Sequence, residues 1–157
     1  MTQTFTIRPA VPDDYAQWLP LWDGYNHFYG RSGATALDPV ITRTTWSRLM
    51  DEVEPMFALV AEGPDGLIGI THFLYHRSTT QLGLSCYLQD LFTAEAARGK
   101  GVARALIEAV CRRATAQGSP RVYWQTHETN THAMKLYDKV AEKSGFLVYR
   151  KLLPQAD

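Results

Sequence analysis

Leu84-Ser85-Cys86-Tyr87-Leu88-Gln89-Asp90-Leu91-Phe92-Thr93 and, four residues later, Arg98-Gly99-Lys100-Gly101-Val102-Ala103 join a strand pattern to a helix pattern through two glycines. From Gly101 to Gln117, Val102, Leu106 and Val110 share one face, with Ala103, Ile107 and Ala114 beside them. Arg104, Glu108, Arg112 and Arg113 take the outer face, so the segment reads as an amphipathic helix. Gly118-Ser119-Pro120 closes it, and Arg121 to Thr126 is a short β-rich run. Strand, helix and strand in that order predict two parallel strands joined by a right-handed crossover.

Upstream, Met56 to Glu62 and Leu67 to His76 flank Pro64-Asp65-Gly66, which predicts a hairpin with Leu84 to Thr93 as the third strand of an antiparallel group. Nearer the start, Thr4 to Arg8 reads as a strand stopped by Pro9. Asp13-Asp14 suits a helix start, where acidic groups meet the positive end of the dipole. Trp18, Leu21, Trp22, Tyr25 and Phe28 then recur at helical spacing until Gly30 and Gly33. A second helix is expected over Pro39 to Val53, with Ile41, Trp46 and Leu49 inward. Downstream, a helix over Thr131 to Lys143 is expected to bury Ala133, Tyr137, Val140 and Ala141, and Phe146 to Leu153 reads as a final strand. The order is β-α-α-β-β-β-α-β-α-β. It describes an α/β (α+β) protein with a mixed, mostly antiparallel sheet and helices on both faces, one domain over residues 1–157.

Composition narrows the partners. Sixteen basic side chains balance sixteen acidic ones, so nothing draws the whole molecule to nucleic acid or an anionic membrane. No apolar run approaches a membrane span, and Met1 to Arg8 lacks the pattern of a signal peptide. Cys86 and Cys111 lie in apolar segments without metal-site spacing, which suits a reducing compartment, and a cytoplasmic protein is expected.

The glycine turn has two readings. It is a common structural turn, and it is also a seat for a phosphate or pyrophosphate. The first turn of the following helix offers free N–H groups, and Arg98, Lys100 and Arg104 add positive charge. Two familiar nucleotide motifs fit poorly. A P-loop needs Gly where Ala94 stands and Ser or Thr where Gly101 stands. The dinucleotide fingerprint needs a third glycine at Arg104 and an acidic residue where Gln125 and Thr126 lie.

The run Tyr87 to Thr93 followed by Arg98-Gly99-Lys100-Gly101-Val102-Ala103 resembles the central motif of the GNAT acetyltransferases, Arg/Gln-x-x-Gly-x-Gly/Ala, met here by Arg98, Gly101 and Ala103. Val122-Tyr123-Trp124-Gln125-Thr126 and Asn130-x-x-Ala133-x-x-Leu136-Tyr137 resemble the yeast histone and polyamine acetyltransferase branch. The likeness is dense from Tyr87 to Lys151 and looser before it. It implies acetyl-CoA as cofactor and a primary amine as acceptor: a polyamine, an amino acid or a lysine side chain, with direct transfer in a ternary complex. It further implies that Leu91, Phe92 and Thr93 offer backbone groups to the pantetheine arm. Gly99, Lys100, Gly101, Val102, Ala103 and Arg104, with Arg98, would bind the pyrophosphate. Asn130 would hydrogen-bond the cofactor arm, and Tyr137 would stand near the sulfur as the acid for the departing thiolate. Tyr25, Asn26 and Tyr29 would line the acceptor pocket.

An amine with pKa about 10 must lose a proton before it attacks a thioester. Many GNAT relatives carry Glu at the position of Gln89, and a glutamine accepts no proton. Asp90 points to the opposite face of a regular strand, which a bulge would change. Ordered water leading to Asp90, Tyr87 or Glu128 is the other route, and a purely structural Asp90 is also open. Gln89 leaves room for a module that binds acetyl-CoA without catalysis, and a general nucleotide-phosphate binder is a third class. Metal binding is not expected. His127-Glu128 with His132 is one residue too long for a zinc helix, the two rings pointing roughly 140° apart. His72 and His76 would lie about 13 Å apart on a strand and are expected at the surface or rim. Only one strand follows the last helix, which leaves a sheet edge uncovered and predicts a homodimer through C-terminal strands.

Overall fold

A computed structural model describes residues 4–156. It divides into two units, 1–125 and 126–157. The first unit carries a sheet ordered β1 (Thr6–Pro9), β2 (Met56–Gly63), β3 (Gly66–His76), β4 (Ser85–Thr93) and β5 (Val122–Tyr123). The first four strands pair antiparallel and β4 pairs parallel with β5, as the strand–helix–strand pattern predicts. The helices of this unit are α1 (Tyr15–Phe28), α2 (Pro39–Met50) and α3 (Val102–Ala116).

Alternation along β2 sorts the core into two layers. Ala58 and Val60 join Trp18, Leu21, Trp22, Leu49 and Ile70 in one cluster beneath α1 and α2. The intervening Leu59 and Ala61 face the other way, toward α3, whose Val102, Leu106 and Val110 are fully buried. Close approach on that side depends on Gly69: a Cβ there would meet Val102 Cγ1 at 2.8 Å. Under α1 the indoles of Trp18 and Trp22 stack at 5.5 Å, and Trp46 of α2 lies 4.8 Å from Trp18. Two buried indoles and a third, partly buried one on one face are a large share of the apolar driving force. The entry to α1 is tied to the sheet by Asp14, which accepts from Arg8 at 2.7 and 2.9 Å and from the Val11 N–H at 2.8 Å. That pair holds the Asp14 carboxyl below its usual range. Asp38 caps α2 by accepting from the Val40 N–H at 2.9 Å, with Pro39 in the first turn.

Several expectations need correction. Arg121 to Thr126 shortens to the two residues of β5, because the parallel ladder consists of Cys86↔Val122 and Tyr87↔Tyr123 alone. His72 is not at a rim: it is 4 % exposed. Phe146 to Leu153 forms no strand, since a strand exists only through a ladder partner and the sheet of the described residues contains none for it. The second unit, described by itself, holds α4 (Thr131–Val140). The α4 residues Ala133, Tyr137 and Val140 are half-buried rather than buried, and Ala141, beyond the helix end, is exposed. No helix among the described residues is long and apolar enough to cross a membrane.

Candidate active site

The antiparallel ladder between β3 and β4 slips once. His72 pairs with Asp90 and Phe73 pairs with Leu88, so Gln89 is an extra, bulged residue. The slip resets the alternation. Leu88 shares the α3 face with Phe73, whereas Asp90 joins His72 on the α1 face. Gln89 itself is exposed and Asp90 is 9 % exposed.

On the α1 face a buried relay forms. Trp18 donates its indole N–H to His72 Nε2 at 3.0 Å, and His72 Nδ1 meets Asp90 Oδ2 at 2.9 Å. An indole nitrogen only donates, so Nε2 is the accepting nitrogen and Nδ1 carries the hydrogen given to the carboxylate. Both ring nitrogens of His72 are therefore in use. Thr71 Oγ1 donates to the Asp90 carbonyl at 2.8 Å and fixes the backbone beside the bulge.

The C-terminal end of α1 closes over this carboxylate. Tyr25 and Tyr29 lie 5.0 Å apart, centroid to centroid. Burial pushes the Tyr25 phenol up, and the charge of Asp90 with its hydrogen bond to the phenol pushes it further. Burial and then Asp90 raise Tyr29 in the same sense. Asn26 is 4 % exposed and its amide is committed within the protein: Nδ2 donates to the Trp22 carbonyl at 2.9 Å and Oδ1 accepts from Arg31 Nε at 2.7 Å. Farther along the sheet, Tyr87 stacks on Tyr123 at 5.0 Å, and Tyr123 Oη lies 2.6 Å from His76 Nε2. Asp90, Tyr25 and Tyr29 are thus brought together, and His72 with Trp18 extends the group beyond the residues that sequence alone singles out. The signal for His72 was present only as a polar residue on the face that carries Ile70.

A second region runs along β4. The ladder to β5 ends at Tyr87, so Leu91, Phe92 and Thr93 have a ladder partner on the β3 side only. Thr93 Oγ1 is buried with no hydrogen-bond partner among the described residues. The chain then makes a 3-10 turn, Glu95–Ala97, and reaches Gly99 and Gly101 at φ +78° and +82°. L-residues strain in that region, and at both positions the space where a Cβ would stand is open. Val102, Ala103 and Arg104 form the first turn of α3, which starts without a side-chain cap and so presents its N–H groups outward. Arg98 folds back over Phe92, 5.8 Å from the ring, while its Nε donates to the Thr93 carbonyl at 3.3 Å. Arg104 pairs with Glu108 at 3.1 Å along the helix, and Lys100 is exposed. An open strand edge, a glycine turn and a bare helix start in sequence suit a long ligand with an amide arm and a diphosphate.

In the second unit, Asn130 stands at the start of α4 with φ −81°. Its side chain donates to Thr126 Oγ1 at 3.2 Å instead of capping the helix. Tyr137 follows two turns later on α4, half-buried.

Residues 18–141 match the family model of the Acetyltransferase (GNAT) family. The chain is 34% identical over 147 residues to D-amino-acid N-acetyltransferase HPA3 of Saccharomyces cerevisiae, covering 92% of this chain and 89% of that protein. It is 29% identical to the uncharacterized N-acetyltransferase YhfO of Bacillus subtilis, over 91% and 94% of the two chains. Among solved structures, a probable acetyltransferase superposes with TM-score 0.79 at 22% identity, covering 97% of this chain and 99% of that one. The ribosomal-protein-alanine N-acetyltransferase of Brucella melitensis biovar Abortus superposes at 0.76 with 18% identity, over 96% and 99%. At those identities the superpositions speak for the fold. The family match spans most of the chain and the yeast relative aligns over nearly its full length, so the chain belongs to the GNAT acetyltransferases and is an enzyme that transfers acetyl groups.

Proposed function

We propose that this enzyme moves an acetyl group from acetyl-CoA to the primary amine of a polyamine, an amino acid or a lysine side chain, with both substrates bound together. GNAT proteins generally use acetyl-CoA, which when bound supplies an acetyl group activated as a thioester. The observation that carries the reading is the open β4 edge running into the double-glycine turn at the bare start of α3. Backbone groups of Leu91 to Thr93 hold the pantetheine arm, and N–H groups from Gly99 to Arg104 hold the pyrophosphate with Arg98 and Lys100 as counter-charges. A polar partner arriving there would also relieve the unpaired Thr93 hydroxyl, an omission that costs ~1–3 kcal/mol.

Asp90 receives the proton that the acceptor nitrogen gives up, directly or through one water, and His72 orients it. Gln89 on the bulge hydrogen-bonds but accepts no proton. Tyr25 and Tyr29 line the acceptor side, and Asn26 supports them from beneath. Asn130 contributes a hydrogen bond to the cofactor arm, and Tyr137 Oη holds the proton that the departing sulfur takes. These last two roles rest on the resemblance at Asn130-x-x-Ala133-x-x-Leu136-Tyr137. Residues 1–157 act as one catalytic domain, a reading supported by a family match that runs without a break from 18 to 141. The protein works in the cytoplasm, where its two unpaired cysteines stay reduced. Cell fractionation that recovers it from another compartment would refute that location. It acts as a homodimer built through the segment Phe146 to Leu153.

Calorimetry with coenzyme A, ATP and NAD, followed by an amine panel with acetyl-CoA and a readout of free thiol, tests the reading. Tight binding of coenzyme A and thiol release with at least one amine are expected. Preference for ATP or NAD, or tight coenzyme A binding without release on any amine, would overturn it. Tyr137→Phe should lower kcat by about 10²-fold, the usual weight of one positioned acid. An unchanged kcat across pH would remove Tyr137 from the chemistry.

A further inference from the structure

Arg31 follows α1 in a turn that fixes it at both ends. Gly30 takes φ +78°, its N–H donates to the His27 carbonyl at 3.0 Å, and the Arg31 N–H donates to the Asn26 carbonyl at 2.8 Å. This pair of bonds is the Schellman closure of a helix. The side chain is then held by the buried Asn26, whose Oδ1 takes Nε at 2.7 Å. The guanidinium lies against two phenol rings, 5.7 Å from the centre of Tyr25 and 5.5 Å from that of Tyr29. Its two terminal nitrogens have no hydrogen-bond partner among the described residues. Arginine at a helix C-terminus is also favoured by the dipole alone, but that does not call for a buried amide to hold Nε.

The ring of Tyr25 consequently has a fixed anion at one end and a fixed cation over its face. Burial raises its phenol and the charge of Asp90 raises it further, and Arg31 lies 5.7 Å from the centre of its ring. A free ammonium group suits the first and a free carboxylate suits the second, since a guanidinium fork offers two parallel N–H donors to two carboxylate oxygens. We propose that Arg31 is the carboxylate-binding residue of the acceptor site, that Asn26 is its positioning residue, and that the acceptor is therefore an amino acid and not a polyamine or a simple amine. The inference rests on the acetyl-transfer reading above and selects among its acceptors. It gives the buried, fully committed Asn26 amide a task that lining a pocket would not.

The test compares an amino acid, its amide and its decarboxylated amine as acceptors for the full-length protein, with free thiol as readout and both enantiomers supplied. The free amino acid is expected to have a KM lower than the amide and the amine by about thirtyfold, the size of one charge-assisted contact. Arg31→Gln should raise KM for the amino acid by a similar factor and bring the three acceptors close together. Asn26→Ala should do the same in part, through KM more than kcat, because Arg31 is then free to swing. Acetylation with no preference for the free carboxylate, or a preference that survives Arg31→Gln, would overturn the assignment of Arg31 while leaving acetyl transfer standing. Thiol release on none of the acceptors, in this set or the wider amine panel, would remove the acetyl-transfer reading and this inference with it. The comparison of the three acceptors on the unaltered protein needs no variant to fold.

Discussion

Trp18 has one hydrogen to give, and it goes to His72 Nε2 inside a fully enclosed site. That bond decides which nitrogen of His72 faces Asp90 as a donor, and so which way the carboxylate is held. Removing the N–H while keeping an aromatic ring isolates the effect. In Trp18→Phe, Nε2 becomes a buried acceptor without a partner, and the smaller ring leaves a void beside Trp22 and Trp46. The two penalties together come to about 2–4 kcal/mol, a fall of several degrees in melting temperature for a chain of this size. The functional consequence is separable from stability. With Nε2 unengaged, His72 can place its hydrogen on either nitrogen, and Asp90 loses a fixed donor for part of the time. We expect kcat to drop about tenfold at temperatures where the variant remains folded, with KM for acetyl-CoA unchanged, as measured by steady-state thiol release. A kcat equal to that of the unaltered enzyme would mean that the relay from Trp18 is structural and that Asp90 does not depend on it.

The bulge at Gln89 belongs to β4 as a whole. A strand with strict alternation would put Leu88 and Asp90 on the same face, and one of them would be misplaced: a leucine beside His72 on the α1 face, or a carboxylate in the apolar layer under α3. The extra residue resolves the conflict, because Leu88 stays opposite Phe73 and Asp90 stays opposite His72. It follows that deleting Gln89 leaves both halves of the strand on their present faces and converts the ladder to a regular one. We expect the deletion variant to fold with a melting temperature within a few degrees of the parent, while the local bend is lost and kcat/KM falls at least about tenfold. A variant that unfolds outright would show that the kink itself, and not the facing, is what the sheet requires. The same strand shows where sequence reading stops. The hairpin at Pro64-Asp65-Gly66, the helix after Gly101 and the parallel crossover are legible because turn residues and periodicity are local signals. The two-residue length of β5 is set by pairing with β4, which no local pattern carries. His72 looks like His76 along the chain, and its burial depends on an indole 54 residues away. Arg31 is hidden from the sequence for a related reason: a lone arginine after a helix has the pattern of solvated surface, and only the contact of its Nε with Asn26 sets it apart.

For the whole molecule, the segment after α4 poses a question of surface. Phe146, Leu147, Val148, Tyr149, Leu152 and Leu153 are each at least 67 % exposed, in a run of eight residues. Scattered apolar residues on a surface are ordinary, but contiguous ones usually mark an interface. The run carries two aromatic residues, Phe146 and Tyr149, with Val148 between them and Arg150 and Lys151 before two leucines, a composition that suits a strand in want of a ladder. A backbone without a ladder partner among the described residues and an apolar flank are both satisfied when the same segment of a second copy pairs with it or exchanges places with it, which yields a closed two-fold assembly. Sedimentation of the full chain at micromolar concentration is therefore expected to give a dimer, with and without acetyl-CoA. Truncation after Gly145, or Phe146→Ser combined with Tyr149→Ser, should shift the mass to that of a monomer while the far-UV circular dichroism of the helices is retained. A full chain that sediments as a monomer under both conditions would exclude the assembly. A dimer that persists in the truncated protein would move the interface away from Phe146 to Leu153.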